Sequence, residues 1–300
     1  MNRAEAIKAL GYDYAATDKL ELKSCNLCGA DDWVFIVHED RYGYPATATS
    51  CHQCGLTMLN PAMTPDSYTH FYQEIYRPLV SAYHGRLIDQ STIQGEQGEY
   101  AHRMADFMAP YIAGSNFGNF LDVGGSTGVI AAEFAKRFNL KATVIDPAPA
   151  EAAVAEELGI ETVVGFVEDW DPTDKYDVVG LFQTIDHLLD VSGTLTKLRS
   201  LINEDGLFIV DIVDFRAAYL RNASVEAAVK IDHVYSITES TMEAYLARHG
   251  FRILRRDFHA DHLHVAYVCK PCKPQPEVMP DPSEVKAYFN EIRRIQNAKV

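Results

Sequence analysis

From Asn119 onward the apolar positions fall in blocks that predict strand and helix by turns. Runs near 119–123, 141–146, 161–165, 176–182 and 206–213 are short and apolar, whereas Val129–Phe138 and the stretch holding Thr194, Leu195, Leu198, Leu201 and Ile202 carry helical spacing. Strands separated by helices predict a parallel sheet built from crossovers. Asn203-Glu204-Asp205-Gly206 reads as the turn that leads into the strand near 206–213. Further on, Ser236 and Glu239 are placed to cap a final helix of this unit as a box. Phe251-Arg252-Ile253-Leu254 and His264-Val265-Ala266-Tyr267-Val268 follow it, and their short connection predicts an antiparallel pair at the sheet edge.

The chain before and after this region is patterned differently. Residues 1–20 read as a short helical arm, and residues 21–65 alternate β-rich runs (Val34-Phe35-Ile36-Val37, Ala46-Thr47-Ala48-Thr49) with cysteine pairs. Residues 66–112 form an aromatic linker of helices, in which Tyr72, Tyr76 and His84 are candidates for a lid, although an aromatic stripe packed in a core has the same pattern. Within it Tyr100, Met104, Phe107, Met108 and Tyr111 mark a helix over Gln97–Tyr111 that packs one face on the sheet. Residues 113–270 hold the alternating unit. A proline-rich tail follows from 271, and Asp281-Pro282-Ser283-Glu284 starts a helix whose Val285, Tyr288, Phe289, Ile292 and Ile295 form an apolar stripe. That stripe needs a partner surface, either its own chain or a second copy in a homo-oligomer.

Composition narrows the function classes. A formal net charge of -15 opposes sequence-independent binding to nucleic acid or to an anionic membrane, because phosphate contacts need clustered Lys and Arg. No apolar run approaches the roughly 18 residues that cross a bilayer, and Met1-Asn2-Arg3-Ala4-Glu5 lacks the layout of a signal peptide, so a cytoplasmic chain is expected.

Phe120-Leu121-Asp122-Val123-Gly124-Gly125-Ser126-Thr127-Gly128 runs from an apolar strand through a glycine-rich turn into a helix, and Asp146 ends the next strand 24 residues after Asp122. Such a turn lets backbone approach a ligand closely, and the acid on the second strand lies where a ribose diol would sit. The glycines fall at i, i+1 and i+4, not at the i, i+2 and i+5 of a dinucleotide fingerprint, and Asp122 precedes the first by two residues. That carboxylate repels a pyrophosphate and attracts a ligand carrying an ammonium and a sulfonium, which S-adenosylmethionine does. A turn that merely links strand to helix explains a lone GxxxG but not the two acids.

Four of the six cysteines form Cys25-x-x-Cys28-Gly29 and Cys51-x-x-Cys54-Gly55, with first cysteines 26 residues apart. Two such knuckles complete a tetrahedral zinc site, and a closed set of four thiolates stabilises a fold and does not catalyse. A disulfide reading suits a cytoplasmic chain poorly. His52, inside the second knuckle, is expected beside the ion and not on it. Cys269-Lys270-Pro271-Cys272 repeats the spacing without a second knuckle to pair with, and reads as two cysteines at a strand end.

With these residues placed, the chain resembles the class I S-adenosylmethionine-dependent methyltransferases, and among them those with an N-terminal zinc ribbon. The resemblance covers roughly residues 21–270 and rests on the knuckles, the Asp122–Gly128 loop, Asp146, Tyr176-Asp177, and Thr184-Ile185-Asp186-His187, where the family often has a Glu-His pair. It implies an α/β, Rossmann-like sheet of seven strands with an antiparallel last strand, plus the small ribbon. Many similar proteins modify nucleotide-linked sugars or polysaccharide precursors, so the resemblance implies a sugar-type small-molecule acceptor. In subfamilies that methylate sugar carbons a Glu-His segment precedes the last helix, and Asp232-His233 looks like its counterpart. Lys230 stands where those enzymes have a tyrosine, and their additional C-terminal domain is missing, so oxygen methylation is preferred over carbon methylation.

The candidate roles follow. Asp122 faces the methionine ammonium side, Gly124, Gly125 and Gly128 allow close approach, Asp146 takes the ribose hydroxyls, Glu168 faces the adenine or else solvent, and Gln183 and Tyr76 line the cofactor pocket. A sugar hydroxyl is a poor nucleophile, and histidine has the pKa suited to take its proton. His233 is the first candidate base and His187 the second, with Asp232 as support. Rival readings are an RNA methyltransferase, opposed by the charge, a non-catalytic S-adenosylmethionine-binding partner protein, and a nicotinamide dehydrogenase, opposed by the glycine spacing.

Overall fold

The computed structural model describes residues 2–88 and 90–298, with the side chains of residues 90, 91, 93 and 94 left out. Its centre is a seven-stranded sheet built from β1 (Asn119–Val123), β2 (Lys141–Asp146), β3 (Glu161–Val164), β4 (Tyr176–Leu181), β5 (Ile202–Val213), β6 (Phe251–Phe258) and β7 (His264–Pro271). The spatial order is β6-β7-β5-β4-β1-β2-β3. The five strands β1 to β5 run parallel, while β7 inserts antiparallel between β5 and β6, pairing Phe208 with Cys269 and Val213 with His264. Burial explains which runs were plain in the sequence. In β1, β2 and β4 nearly every residue is buried, since helices cover both faces, whereas edge strand β3 has no buried residue.

Two local expectations are corrected. Asn203–Gly206 does not form a separate turn: β5 starts at Ile202, and its register against β4 shifts between Ile202 and Leu207. The helix Glu239–Arg248 is capped by Thr238, whose side chain accepts from the Thr241 amide, while Thr241 reaches back to the Thr238 amide. Ser236 is instead a buried strand residue, and the Glu239 amide donates to Asp214. The helix read over Gln97–Tyr111 extends over Gln90–Ile112 and buries Tyr100, Met104 and Met108.

Residues near the N-terminus form a second, four-stranded antiparallel sheet from Trp33–Val37, Ala48–Cys51, Thr57–Leu59 and, from far along the chain, Tyr235–Ser236. Tyr235 pairs with Met58 and Ser236 with Thr57. The same junction is tied by the Arg41 amide on the Val229 carbonyl at 2.9 Å, the Leu59 amide on the Val234 carbonyl at 2.9 Å and the Ile231 amide on the Asp40 carboxylate at 3.0 Å.

The helix Pro282–Asn297 packs its stripe on this sheet. The Tyr288 hydroxyl hydrogen-bonds with the Thr57 and Ser50 hydroxyls, Phe289 lies near His52, and the Gln296 amide group donates to the Ile36 carbonyl at 2.6 Å. Val285, Tyr288, Phe289 and Ile292 are buried within one chain. The stripe is thus covered by its own chain, and the homo-oligomer contact expected through it loses its basis. Among the described residues no helix is long and apolar enough to cross a membrane.

Candidate active site

β1 is flanked by β2 on one side and β4 on the other, so the strand order reverses there, and in open α/β sheets the crevice beyond the strand ends at such a point receives the ligand. Asp122 sits at this point, 1% exposed, and among the described residues neither carboxylate oxygen has a hydrogen-bond partner. Burial, with Asp146 adding repulsion, pushes its carboxyl well above the usual carboxylate range. A carboxylate so isolated is costly unless a cationic group completes it.

The loop above it is shaped by contact. A Cβ on Gly125 would lie 2.8 Å from the Asp122 carboxylate, and one on Gly124, whose φ is +69°, would lie 2.7 Å from the Thr184 side chain. Gly128 caps the helix Val129–Phe138. Asp146 ends β2 and accepts the Ser126 amide at 3.0 Å and the Ala148 amide at 2.9 Å, so it braces the loop and keeps its remaining lone pairs for a hydroxyl. Two straps cross the loop that no spacing pattern signals. Thr127 donates to Gln97 at 2.9 Å, and Ser126 donates to Glu151, which Arg77 approaches at 3.3 Å.

Other expected cofactor residues are placed less simply. Glu168 is exposed and takes the Thr194 hydroxyl, so it faces the helix Val191–Leu201, while Phe166 beside it exposes an aromatic ring. Gln183 is an exposed residue in left-handed backbone (φ +49°), held by its amide on Asp211 at 2.7 Å, and the same Asp211 takes the Tyr100 hydroxyl at 2.8 Å. Tyr76 packs against Tyr72 and His187, with ring centroids 5.3 and 6.3 Å away.

That aromatic pair opens onto a polar cluster. His187, after β4, and His233 face each other edge to face at 4.7 Å between centroids. His187 Nδ1 lies 2.9 Å from the Asp232 carbonyl, which can only accept, so Nδ1 carries the proton and Nε2 is left with a free lone pair. The Tyr72 hydroxyl donates to the same carbonyl at 2.7 Å and receives the imidazole edge at 2.7 Å. His233 is arranged the other way: Lys230 Nζ sits 3.2 Å from its Nε2, Asp232 Oδ2 is 3.5 Å from that atom, and Asp186 Oδ2 is 3.9 Å from Nδ1. Burial holds both imidazoles below their ordinary pKa, His233 strongly, with the Lys230 charge adding to the effect. Burial also pushes the Asp186 carboxyl up to about 7 and lowers the Lys230 ammonium.

His187, Asp232 and His233 have ligand atoms within 4.8 Å of one another, a spacing a metal ion could use, but the Lys230 ammonium already stands against His233. Two imidazoles held below their ordinary pKa are in the neutral form that takes up a proton. The Methyltransferase domain family matches residues 94–256, which include the loop, both acids and this cluster.

The chain belongs to the methyltransferase-domain family. Two curated relatives are similar to this methyltransferase-domain chain. The C-methyltransferase NovU of Streptomyces niveus is 22% identical over 292 residues, which cover 89% of this chain and 65% of NovU. A ubiquinone biosynthesis O-methyltransferase of Rhodopseudomonas palustris is 28% identical over 96 residues, 30% of this chain and 38% of that protein. The chain therefore spans less than two thirds of the length of each. Among solved structures, mitomycin 7-O-methyltransferase MmcR superposes with a TM-score of 0.51 at 20% identity, covering 68% of this chain and 60% of that one, a likeness of fold.

The methyltransferase-domain chain has a second cluster, of four cysteines, beside its four-stranded sheet. The sulfurs of Cys25 and Cys54 lie 3.5 Å apart, as do those of Cys28 and Cys51, and all four are within 4.8 Å of one another. Each knuckle turns in the same way, with the Gly29 amide on the Cys25 carbonyl at 2.8 Å and the Gly55 amide on the Cys51 carbonyl at 2.9 Å. Four sulfurs about one centre fit a tetrahedral ion. His52 is exposed and pairs with Asp32 at 3.0 Å, away from that centre. Cys269 is buried on β7 and Cys272 lies at its end, both free.

Proposed function

We propose that this chain methylates a hydroxyl of a small, sugar-type acceptor, using S-adenosylmethionine. The single observation that carries the cofactor is Asp122, a buried carboxylate without a partner under a glycine loop, complementary to an ammonium. S-adenosylmethionine supplies the electrophilic methyl group. Asp146 and the loop orient the ribose side, and the straps from Gln97 and Arg77 keep water from the bound ligand. As the new bond to the acceptor oxygen forms and the carbon–sulfur bond breaks, the hydroxyl proton passes to Nε2 of His187. This reverses the order of the candidate bases: Lys230 covers Nε2 of His233, whereas that of His187 is free. His233 then serves as a positioning residue that holds Lys230. The four cysteines hold a structural zinc ion in this reading.

Calorimetric titration with S-adenosylhomocysteine, with NAD as control, tests the cofactor. Micromolar binding of the first alone is expected, and binding of neither would sink the proposal. Carbon methylation is the second reading, favoured by the similarity to NovU across 89% of this chain. The product's methyl signal, on oxygen or on carbon, separates the two.

A further inference from the structure

Two imidazoles and a carboxylate with ligand atoms within 4.8 Å of one another are a donor set that divalent metal ions accept, yet the cluster already has a cation of its own. The Lys230 ammonium stands 3.2 Å from Nε2 of His233, an atom a metal would need, and Asp232 Oδ2 lies 3.5 Å from that same atom. Asp232 and Asp186 both act on Lys230 to keep its charge, while Arg41 opposes it from the ribbon side. The two acids are 2% and 4% exposed, and among the described residues each keeps one carboxylate oxygen without a hydrogen-bond partner. Buried acids so arranged need positive charge beside them, and the chain supplies it through a lysine instead of an ion. Among the described residues Lys230 makes its one hydrogen bond to His233, so two of its three protons are uncommitted. Its charge acts on His187 as well, whose Nε2 is free to accept a proton. A cationic donor and an open proton acceptor thus meet in one half-buried place.

We propose that the Lys230 ammonium stands where a metal ion would stand in this cluster and is a catalytic residue of the acceptor site, donating to the acceptor oxygen and holding the negative charge that gathers there. A metal ion in such a place polarises an oxygen and makes its proton easier to remove, and a fixed ammonium does the same through charge and hydrogen bond. The acceptor O–H bond breaks and its proton goes to Nε2 of His187. The oxygen's electron pair forms the bond to the methyl carbon, and the pair of the carbon–sulfur bond leaves with sulfur as S-adenosylhomocysteine. Lys230 keeps its protons throughout. The two histidines then divide the work, since His233 holds the ammonium in place and His187 takes the proton. A divalent ion would be repelled by the ammonium, so the parent chain takes none here. The inference rests on the methyl-transfer reading for what the acceptor is, and not for the place of the cation.

The test is calorimetric titration of the zinc-replete protein with manganese(II), which binds thiolates more weakly than zinc does and so leaves the cysteine cluster alone. The parent is expected to take up no manganese, Lys230→Ala to bind one ion per chain, and Lys230→Ala combined with His187→Ala to lose that binding tenfold or more. S-adenosylhomocysteine affinity should be the same in all three, which shows that they are folded; should Lys230→Ala not fold, Lys230→Ser replaces it. With an accepted substrate, Lys230→Met keeps the stem and removes the charge, and its kcat should fall by about a hundredfold or more while KM changes less. Ethylammonium added to Lys230→Ala should restore part of the turnover, which a merely structural lysine would not allow. Manganese uptake equal in the parent and in Lys230→Ala, or by neither, would overturn the proposal, as would an unchanged kcat in Lys230→Met. Uptake by Lys230→Ala in a protein that binds no S-adenosylhomocysteine would keep the place of the cation and sink the methyl-transfer reading, and S-adenosylhomocysteine binding without uptake would do the opposite.

Discussion

Lys230 Nζ lies 3.2 Å from Nε2 of His233, while among the described residues the matching atom of His187 has no such partner. One histidine is therefore occupied by a cation and the other is free to accept a proton, although both are half-buried and held toward the neutral form.

Replacing His187 with Ala is expected to lower turnover by about a hundred- to ten-thousand-fold, the usual range for a lost general base. S-adenosylhomocysteine affinity should not change. His233→Ala should cost less and raise KM more than it lowers kcat. Initial rates with an accepted substrate decide, and a larger kcat loss at His233 than at His187 would return the base to His233.

The rate should hold on acidification past the ordinary histidine pKa of about 6.5, because burial holds the His187 pKa lower and the neutral imidazole is the active form. A kcat/KM profile whose acid limb lies above that value would contradict the assignment.

Asp122→Asn should act in opposite directions on stability and binding. The native carboxyl is pushed well above its ordinary range, so at neutral pH the fold carries a desolvation cost that Asn removes. The melting temperature of the ligand-free chain should rise, while S-adenosylhomocysteine affinity falls by tenfold or more. A variant that binds like the parent would show that Asp122 is structural only.

Asp186 has a native pKa of about 7 against an ordinary 3.8. Between those values the native state binds more protons than the unfolded one, so this group's contribution to stability falls as pH rises through the window. Asp186→Asn should therefore raise the melting temperature more at pH 8 than at pH 5, values chosen to lie about either side of the native pKa. A gain that is equal at both, or larger in acid, would count against this burial.

Zinc removal by a strong chelator should lower the melting temperature and abolish turnover together, because Cys51 and Tyr235–Ser236, two residues past His233, lie on strands of one sheet. Metal analysis should find one zinc ion per chain, lost in Cys51→Ser. A metal-free native protein of full stability would remove the ion from the account.

Legibility in the sequence followed the range of the forces involved. The βαβ alternation, the Asp122–Gly128 loop and the paired knuckles are local patterns, and each was read from neighbouring residues. What was missed depends on distant partners. Nothing around Ser236 signals that it pairs with Thr57, so a strand residue was read as a helix cap. For Glu168 the sequence leaves adenine and solvent both open, and its contact with the Thr194 hydroxyl depends on a partner farther along the chain. Arg41 carries no local signal, because its contact across the junction is with Val229, far along the chain. The order of the two histidines turned on Lys230 Nζ, whose position no spacing rule gives.

The strand Tyr235–Ser236 closes the ribbon sheet against Met58, and the helix Pro282–Asn297 covers it. The ribbon is consequently not a portable module. Cut out as residues 21–65, it would leave the Met58 edge without its pairing strand and the Tyr288 contact surface bare, so it should be insoluble or unfolded even when loaded with metal. In a growing chain it would likewise have to wait for Tyr235–Ser236 and the helix Pro282–Asn297 before it could settle.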